Sequence, residues 1–291
     1  MKRILITGAN SYIGQAFEHH LKQWPETYHV DTIDMIGEAW KNTSFSGYDT
    51  VYHVAGIAHS DNGKISPERS KLYYQVNTDL AIKTAEKAKA DGVRQFIFMS
   101  SASVYGRSAS IGEYKRITRD TPFSPENSYG DSKVKAEEGI FPLQDENFRV
   151  VILRPPMIYG KGCKGNYPTL SKIAKKFPAF PYVNNQRSML YIDNLAEFVR
   201  LMIDNEEQGI FWPQNREFSN TTEIVQMIAR VHGKRIMILR GVSWMLKLLS
   251  PFTVLVNKAF GSLWYDQEIS NYKQEYCIVS LEDSIKETES E

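Results

Sequence analysis

Cysteine is scarce in this chain. Cys163 and Cys277 are the two it has among 291 residues, which excludes a disulfide framework and fits a reducing compartment. Neither cysteine, nor any of the six histidines, has the neighbour spacing of a metal site, so no metal is expected. A surplus of one charge is missing as well. With 35 basic against 34 acidic residues and no basic run, there is no electrostatic case for binding nucleic acid. No stretch reaches the roughly 18 uninterrupted apolar residues of a transmembrane segment. The apolar run after Met1-Lys2-Arg3 stops at a glycine turn, too short for a secretory signal, and the expected location is cytoplasmic. Repeats, low-complexity tracts and linkers are absent.

What is present begins with a strand, a turn and a helix. Residues 3–7 are apolar and end at Gly8, and residues 13–23 carry apolar side chains at helical spacing. In the turn Thr7-Gly8-Ala9-Asn10-Ser11-Tyr12-Ile13-Gly14, glycine lets backbone amides and the helix N-terminus approach a pyrophosphate. Ser11 stands where the three-glycine form has its middle glycine and is expected to narrow that approach. An ordinary strand-to-helix turn is the alternative. The next strand-like stretch, residues 29–34, offers Asp34, 20 residues after Gly14, for the 2′-hydroxyl of an adenosine ribose, which favours NAD over NADP. Only about fifteen residues then precede the strand 50–54, so a second crossover helix is missing or shrunken. Asp34 would in that case face adenine and leave the ribose to Asp31 or to no side chain. Residues 55–58 are small. A helix is expected over 72–91, with Asn77 hydrogen-bonding strand-end backbone. The strand 94–99 runs into the hydroxyls of 100–106 at the strand end where open α/β sheets bind ligands.

In Asn127-Ser128-Tyr129-Gly130-Asp131-Ser132-Lys133, a helix puts Tyr129 and Lys133 one turn apart on one face. A phenol beside an ammonium is a tunable acid, and the positive charge is expected to lower the Tyr129 pKa.

These landmarks, with His53-Val54-Ala55-Gly56, Leu153-Arg154-Pro155 and Tyr159-Gly160, resemble the extended short-chain dehydrogenase/reductase superfamily, in its nucleotide-sugar epimerase, dehydratase and 4-keto reductase branch. The resemblance covers roughly the first 200 residues. It implies an α/β fold: a Rossmann-like doubly wound parallel sheet with a smaller C-terminal α/β substrate lobe. Residues 1–165 are assigned to the dinucleotide domain, with 187–204 returning to it, 166–186 and 205–285 to the lobe, and 286–291 to a frayed tail. By the same resemblance Ser101, Tyr129 and Lys133 are catalytic, with Tyr129 as acid/base and Lys133 on the nicotinamide ribose. Cofactor contacts are expected from Gly8, Asn10, Ser11, Tyr12, Ile13, Gly14, Asp34, Met35, Val54, Ala55, Gly56 and Pro155, besides Tyr129 and Lys133. The family's 4,6-dehydratases carry an Asp-Glu pair directly after the Ser/Thr, where this chain has Ala102 and Ser103, so a dehydratase is not expected.

The stretches 154–167 and 185–195 resemble enzymes of bacterial surface-polysaccharide assembly that act at C4 of UDP-linked N-acetylhexosamines. Arg187 offers a bidentate fork for a diphosphate, and Asn166 a neutral donor before the helix starting near Tyr167. Ser103 is assigned with them to the substrate. Asp193 reads as a helix N-cap. Strands are expected at 210–212 and 235–239, with a helix over 221–232, all in the lobe. The apolar stretch 242–260 reads as lobe helices or as a membrane-surface helix. The sequence thus points to an NAD-dependent 4-keto reductase or 4-epimerase acting on a nucleotide sugar; the resemblance implies a homodimer, and the membrane-surface reading of 242–260 leaves peripheral membrane contact open. The competing readings are a non-catalytic dinucleotide-binding sensor or scaffold, or an enzyme for a lipid-linked or non-sugar carbonyl substrate.

Overall fold

In a computed structural model, residues 1–57, 65–242 and 260–290 are described. In chain order the first half contains β1 (Lys2–Thr7), α1 (Tyr12–Leu21), β2 (Tyr28–Ile33), β3 (Thr50–His53), α2 (Pro67–Tyr73), α3 (Leu80–Ala90), β4 (Gln95–Met99), β5 (Arg116–Ile117) and α4 (Ser128–Ile140). There follow β6 (Arg149–Leu153), β7 (Met157–Tyr159), α5 (Tyr167–Lys176), β8 (Ala179–Pro181), β9 (Met189–Tyr191), α6 (Ile192–Asp204), β10 (Gly209–Phe211), α7 (Thr221–Val231), β11 (Met237–Leu239), β12 (Trp264–Tyr265), α8 (Gln267–Ser270) and α9 (Leu281–Glu289).

Six of these strands form one parallel sheet in the order β10-β6-β4-β3-β1-β2. Alternate residues of each strand point to opposite faces. Ile4, Ile6, Tyr52, Ile97 and Val151 bury one face with α1 and α6. Leu5, Val51, Phe96, Phe98 and Val150 bury the other with α3 and α4. Helices on both faces explain why the strands read as unbroken apolar runs. The one polar residue inside β4, Gln95, is satisfied by Thr50, the Met202 carbonyl and the Glu207 carbonyl at 2.9–3.0 Å.

Between β2 and β3 the chain makes a single 3₁₀ turn, Ala39–Asn42, so the second crossover is indeed shrunken. The order reverses between β1 and β3, and ligands of open α/β sheets bind beyond the strand ends at such a point. The helix expected over 72–91 begins earlier, at Pro67, and is interrupted by a π-helical turn, Tyr74–Asp79. Gly209–Phe211 belongs to the central sheet, paired in parallel with Val151–Leu153, which corrects its assignment to the lobe. Short apolar strands give no sign of which sheet they join. Asp193 is not the N-cap of α6: the helix starts at Ile192 behind Tyr191, and Asp193 lies in its first turn. Residues 243–259 of the apolar stretch and His59 lie outside the described residues.

α4 is bound to the sheet by a buried ion pair. Glu137 accepts from Arg154 through Nε, at 3.1 and 3.2 Å, and through Nη2 at 2.5 Å, and it also accepts from the Ser100 hydroxyl. Arg154 donates on to the Tyr105 hydroxyl at 2.6 Å. Both charged side chains are buried, so losing one strands the other. Glu137→Leu is therefore expected to lower the unfolding free energy by about 3–5 kcal/mol. The double variant Glu137→Leu/Arg154→Met should lose clearly less than the sum of the two single changes in urea denaturation. Strict additivity would show that the charges are not coupled.

Candidate active site

At the carboxyl edge of the sheet, β1 and β3 come together because Gly8 carries no side chain. Its φ is +117°, and a Cβ there would lie 2.7 Å from the Ala55 amide nitrogen. The Val54 and Ala55 amides both donate to the Thr7 carbonyl, at 3.1 and 2.8 Å. Asn10 takes the left-handed conformation, φ 65°, that asparagine tolerates. Ser11 sits at φ −70°, ψ 140°, and its hydroxyl accepts from the Gly14 amide at 3.0 Å as the N-cap of α1. The missing middle glycine therefore leaves no backbone strain. The Tyr12 and Ile13 amides, in the first turn of α1, have no intrahelical acceptor and are placed for an anion.

Asp34 directly follows β2, beside this turn: the preceding carbonyl of Ile33 accepts from the Gly8 and Ala9 amides at 2.9 and 3.1 Å. Its carboxylate is exposed and accepts locally, from the Ile36 amide at 2.9 Å. Asp31 is occupied elsewhere, with the Tyr48 hydroxyl at 2.8 Å and His29 at 3.0 Å. With Asp31 so engaged, Asp34 is the carboxylate left beside the glycine turn. Met35 beside it is buried. A crevice that a Cβ would fill, free helix-end amides and a carboxylate at the second strand end together fit a dinucleotide.

Asn77, at the π turn, accepts from the Ile57 amide at 2.8 Å and donates to the Ile57 carbonyl at 3.2 Å and to Ser132 at 3.3 Å. That fulfils its expected part and fixes the chain after Gly56. Pro155 takes part on the opposite side, its carbonyl accepting from the Ala102 amide at 2.9 Å. His53 is buried between Phe96 and Phe98, with Nδ1 2.8 Å from the Thr7 hydroxyl, and burial holds its pKa down to about 3. It is a neutral part of the strand end.

Ser101, Ser103 and Tyr129 are brought together. Ser101 Oγ donates to Ser103 Oγ and accepts from the Ser103 amide, both at 3.1 Å, and its hydroxyl hydrogen-bonds the Tyr129 phenol. Gly130 makes this approach possible, since a Cβ on it would lie 2.5 Å from the Ser103 carbonyl. The Lys133 ammonium, however, is directed elsewhere. It donates to the Met99 carbonyl at 2.7 Å and lies 4.7 Å over the Phe98 ring. Burial pushes the Tyr129 phenol up, with the Ser101 hydroxyl opposing. This corrects the expectation that Lys133 lowers it: one-turn spacing sets the face, but the amine's nearest acceptor is backbone. Glu137, one turn further along the same stripe, was within reach of the sequence by extending that spacing; the Gly130 contact was not.

Asn166 and Arg187 stand on other elements. Asn166 precedes α5 with its side chain making no capping bond to it. Arg187 lies between residues 219 and 263, its backbone bonded to Ser219 in both directions at 2.9–3.0 Å, and burial lowers its pKa to about 10. Among the described residues no group of His, Cys, Asp and Glu could hold a metal.

A doubly wound sheet with a glycine turn at its switch point and a Ser–Tyr pair beside a buried lysine defines a dinucleotide-binding protein of the short-chain dehydrogenase type. Residues 4–211 match the sequence model of the NAD dependent epimerase/dehydratase family, and the chain belongs to that family. A UDP-glucose 4-epimerase of Vibrio cholerae is 32% identical over an alignment of 290 residues, covering 92% of this chain and 84% of the relative. The N-acetyl-alpha-D-glucosaminyl-diphospho-ditrans,octacis-undecaprenol 4-epimerase of Escherichia coli O157:H7 is 28% identical over 223 residues, covering 71% of this chain and 64% of the relative. Among solved structures, a UDP-glucuronic acid 4-epimerase from Bacillus cereus in complex with NAD superposes with a TM-score of 0.71 at 20% identity, covering 98% of this chain and 96% of that one. That likeness shows the fold.

Burial holds the Lys133 pKa down to about 8, with Glu137 pulling it up; an unfolded lysine keeps its proton to about 10.5. Between those values the unfolded chain binds more protons, so stability rises with pH. Wild-type protein, compared with Lys133→Met, should gain stability as pH rises from about 8 to about 10.5 and then level off. Denaturant titrations across that range check it, and a flat difference would mean that Lys133 titrates as an ordinary lysine.

Proposed function

We propose that the protein is an NAD-dependent 4-epimerase of a UDP-linked hexose or N-acetylhexosamine, serving polysaccharide assembly. The observation that carries this reading is the Ser101–Tyr129 hydrogen bond just past β4, on the same carboxyl edge of the sheet as the Gly8 turn just past β1. The whole-chain similarity to a 4-epimerase supports the reaction type. An acidic Asp34 beside the glycine turn would repel the 2′-phosphate of NADP, which supports NAD.

Gly8, the first-turn amides of α1, Asp34 and Gly56 would hold the dinucleotide, with Lys133 on its nicotinamide ribose. When bound, the nicotinamide supplies the hydride acceptor and donor. The chain's own work is on the proton. Tyr129 Oη takes the proton from the sugar C4 hydroxyl on oxidation and returns it to the C4 oxygen on reduction, while the Ser101 hydroxyl holds that oxygen. A phenol whose pKa is raised by burial is neutral at rest and ready as the acid. To act as base it needs a nearby positive charge, and Lys133 would supply one on turning from the Met99 carbonyl. Arg187 and Asn166 would receive the diphosphate.

The resemblance around Gly160 to Tyr167 favours a second reading, a 4-keto reductase using the same three side chains. The two part in one assay. An epimerase interconverts UDP-GlcNAc with UDP-GalNAc, or UDP-glucose with UDP-galactose, without added cofactor, as read by mass and sugar analysis. A reductase turns over only a 4-keto sugar and consumes reduced cofactor. Tyr129→Phe is expected to lose about 10²- to 10⁴-fold in turnover with an unchanged fold. Turnover within a few-fold of wild type would remove Tyr129 from the mechanism.

A further inference from the structure

The even charge balance of the whole chain hides a lopsided distribution. No Asp or Glu stands between Glu146 and Asp193, nor between Glu223 and Asp266, whereas lysine and arginine recur through both stretches. The two stretches meet where β11 pairs with β8, Met237 opposite Ala179 and Leu239 opposite Pro181. Phe180 and Ile238, at the alternate positions, pack into the core. Large apolar side chains grouped on an exposed face mark an interaction surface. Here the outward face is apolar as well: Met237 is 62% exposed, Leu239 38%, and Phe177 and Tyr182 at the ends of β8 are 58% and 40% exposed.

The rim of this face is cationic. Lys176, Lys234, Arg235 and Arg240 are all exposed around it, and Arg240 lies 5.5 Å over the Tyr182 ring. Among the described residues, the cation here with a carboxylate partner is Lys175, which pairs with Glu289 at 2.8 Å. The sequence that follows β11, residues 243–259, has Lys247 and Lys258 as its charges and is otherwise rich in Leu, Val, Trp and Phe. A second copy of the chain docked here would bring like charges together, which is unfavourable. A single sign around Met, Leu, Phe and Tyr is the composition of a surface that lies on lipid headgroups.

We propose that the β8–β11 face docks the protein on the surface of a bilayer containing anionic phospholipid. The rim cations gain from the negative surface potential, and the central apolar side chains enter the headgroup–acyl boundary. Membrane docking of this kind does not depend on which reaction the crevice performs.

Flotation of the full chain with vesicles of phosphatidylcholine, alone or doped with phosphatidylglycerol, tests it. Binding is expected to the doped vesicles and not to the neutral ones, and to fall as salt is raised. Two variants divide the contributions: Met237→Asp/Leu239→Asp removes the apolar centre, and Arg235→Glu/Arg240→Glu reverses rim charges while leaving the centre intact. Each should lower the vesicle partition coefficient about tenfold or more, with unchanged circular dichroism and melting. Wild-type protein that ignores anionic vesicles, or variants that bind as wild type does, would overturn the proposal. So would an oligomer that the Met237→Asp/Leu239→Asp change breaks up without any vesicle binding, because the face would then be an interface between copies of the chain.

Discussion

Two buried charges one turn apart on α4, Lys133 and Glu137, set the constraint on which the rest of the structure depends. Neither can be left unpaired in a low-dielectric interior without a penalty of several kcal/mol. Glu137 is satisfied by Arg154, just past β6, and by Ser100, just past β4. Lys133 is satisfied by the carbonyl of Met99, the last residue of β4. Both bonds reach strand ends, so they draw α4 across the carboxyl edge of the sheet instead of its middle. Tyr129, one turn earlier on the same stripe, is carried over Ser101 as a result.

Close approach does the remaining positioning. Gly8 meets Ala55, Gly56 has Asn77 Oδ1 and Lys133 Nζ as neighbours, and Gly130 meets Ser103. Each glycine removes a side chain where two backbones, or a backbone and a buried polar group, must pass within contact distance. Asn77 ties the π turn to Ile57 and Ser132, so the helix interruption, the end of β3 and α4 are held by one side chain. Beneath these contacts neutral His53 stacks on Phe96 and Phe98 in the buried core.

Much of this was legible in the chain. The strands β1 to β4 and β10 and the helices α1 and α4 fell within a few residues of their sequence-based positions, because apolar periodicity is a property of neighbours along the chain, whereas β6 was marked only by the landmark at Leu153. The family followed from five landmarks in order. The lobe was less legible: strands of two or three residues such as β8, β10 and β11 carry too few residues for a period, and β10 joined the central sheet against expectation. Asp193 was misread because a helix can begin one residue before the side chain that suits its cap.

The sequence by itself determined which residues share a face and which chemistry they can offer: a phenol and an amine one turn apart, hydroxyls at a strand end, and a glycine turn at the start. Spacing along a helix or strand is local, and it fixes direction. Tertiary structure alone decided what each group meets there. Lys133 finds a carbonyl 34 residues away, and Tyr129 rises in pKa where spacing implied a fall. Asp34, not Asp31, is left beside the glycine turn because Tyr48 has taken the other carboxylate. Burial and partners are set by contacts between distant parts of the chain, and both the pKa of a buried group and its readiness for chemistry follow from those contacts.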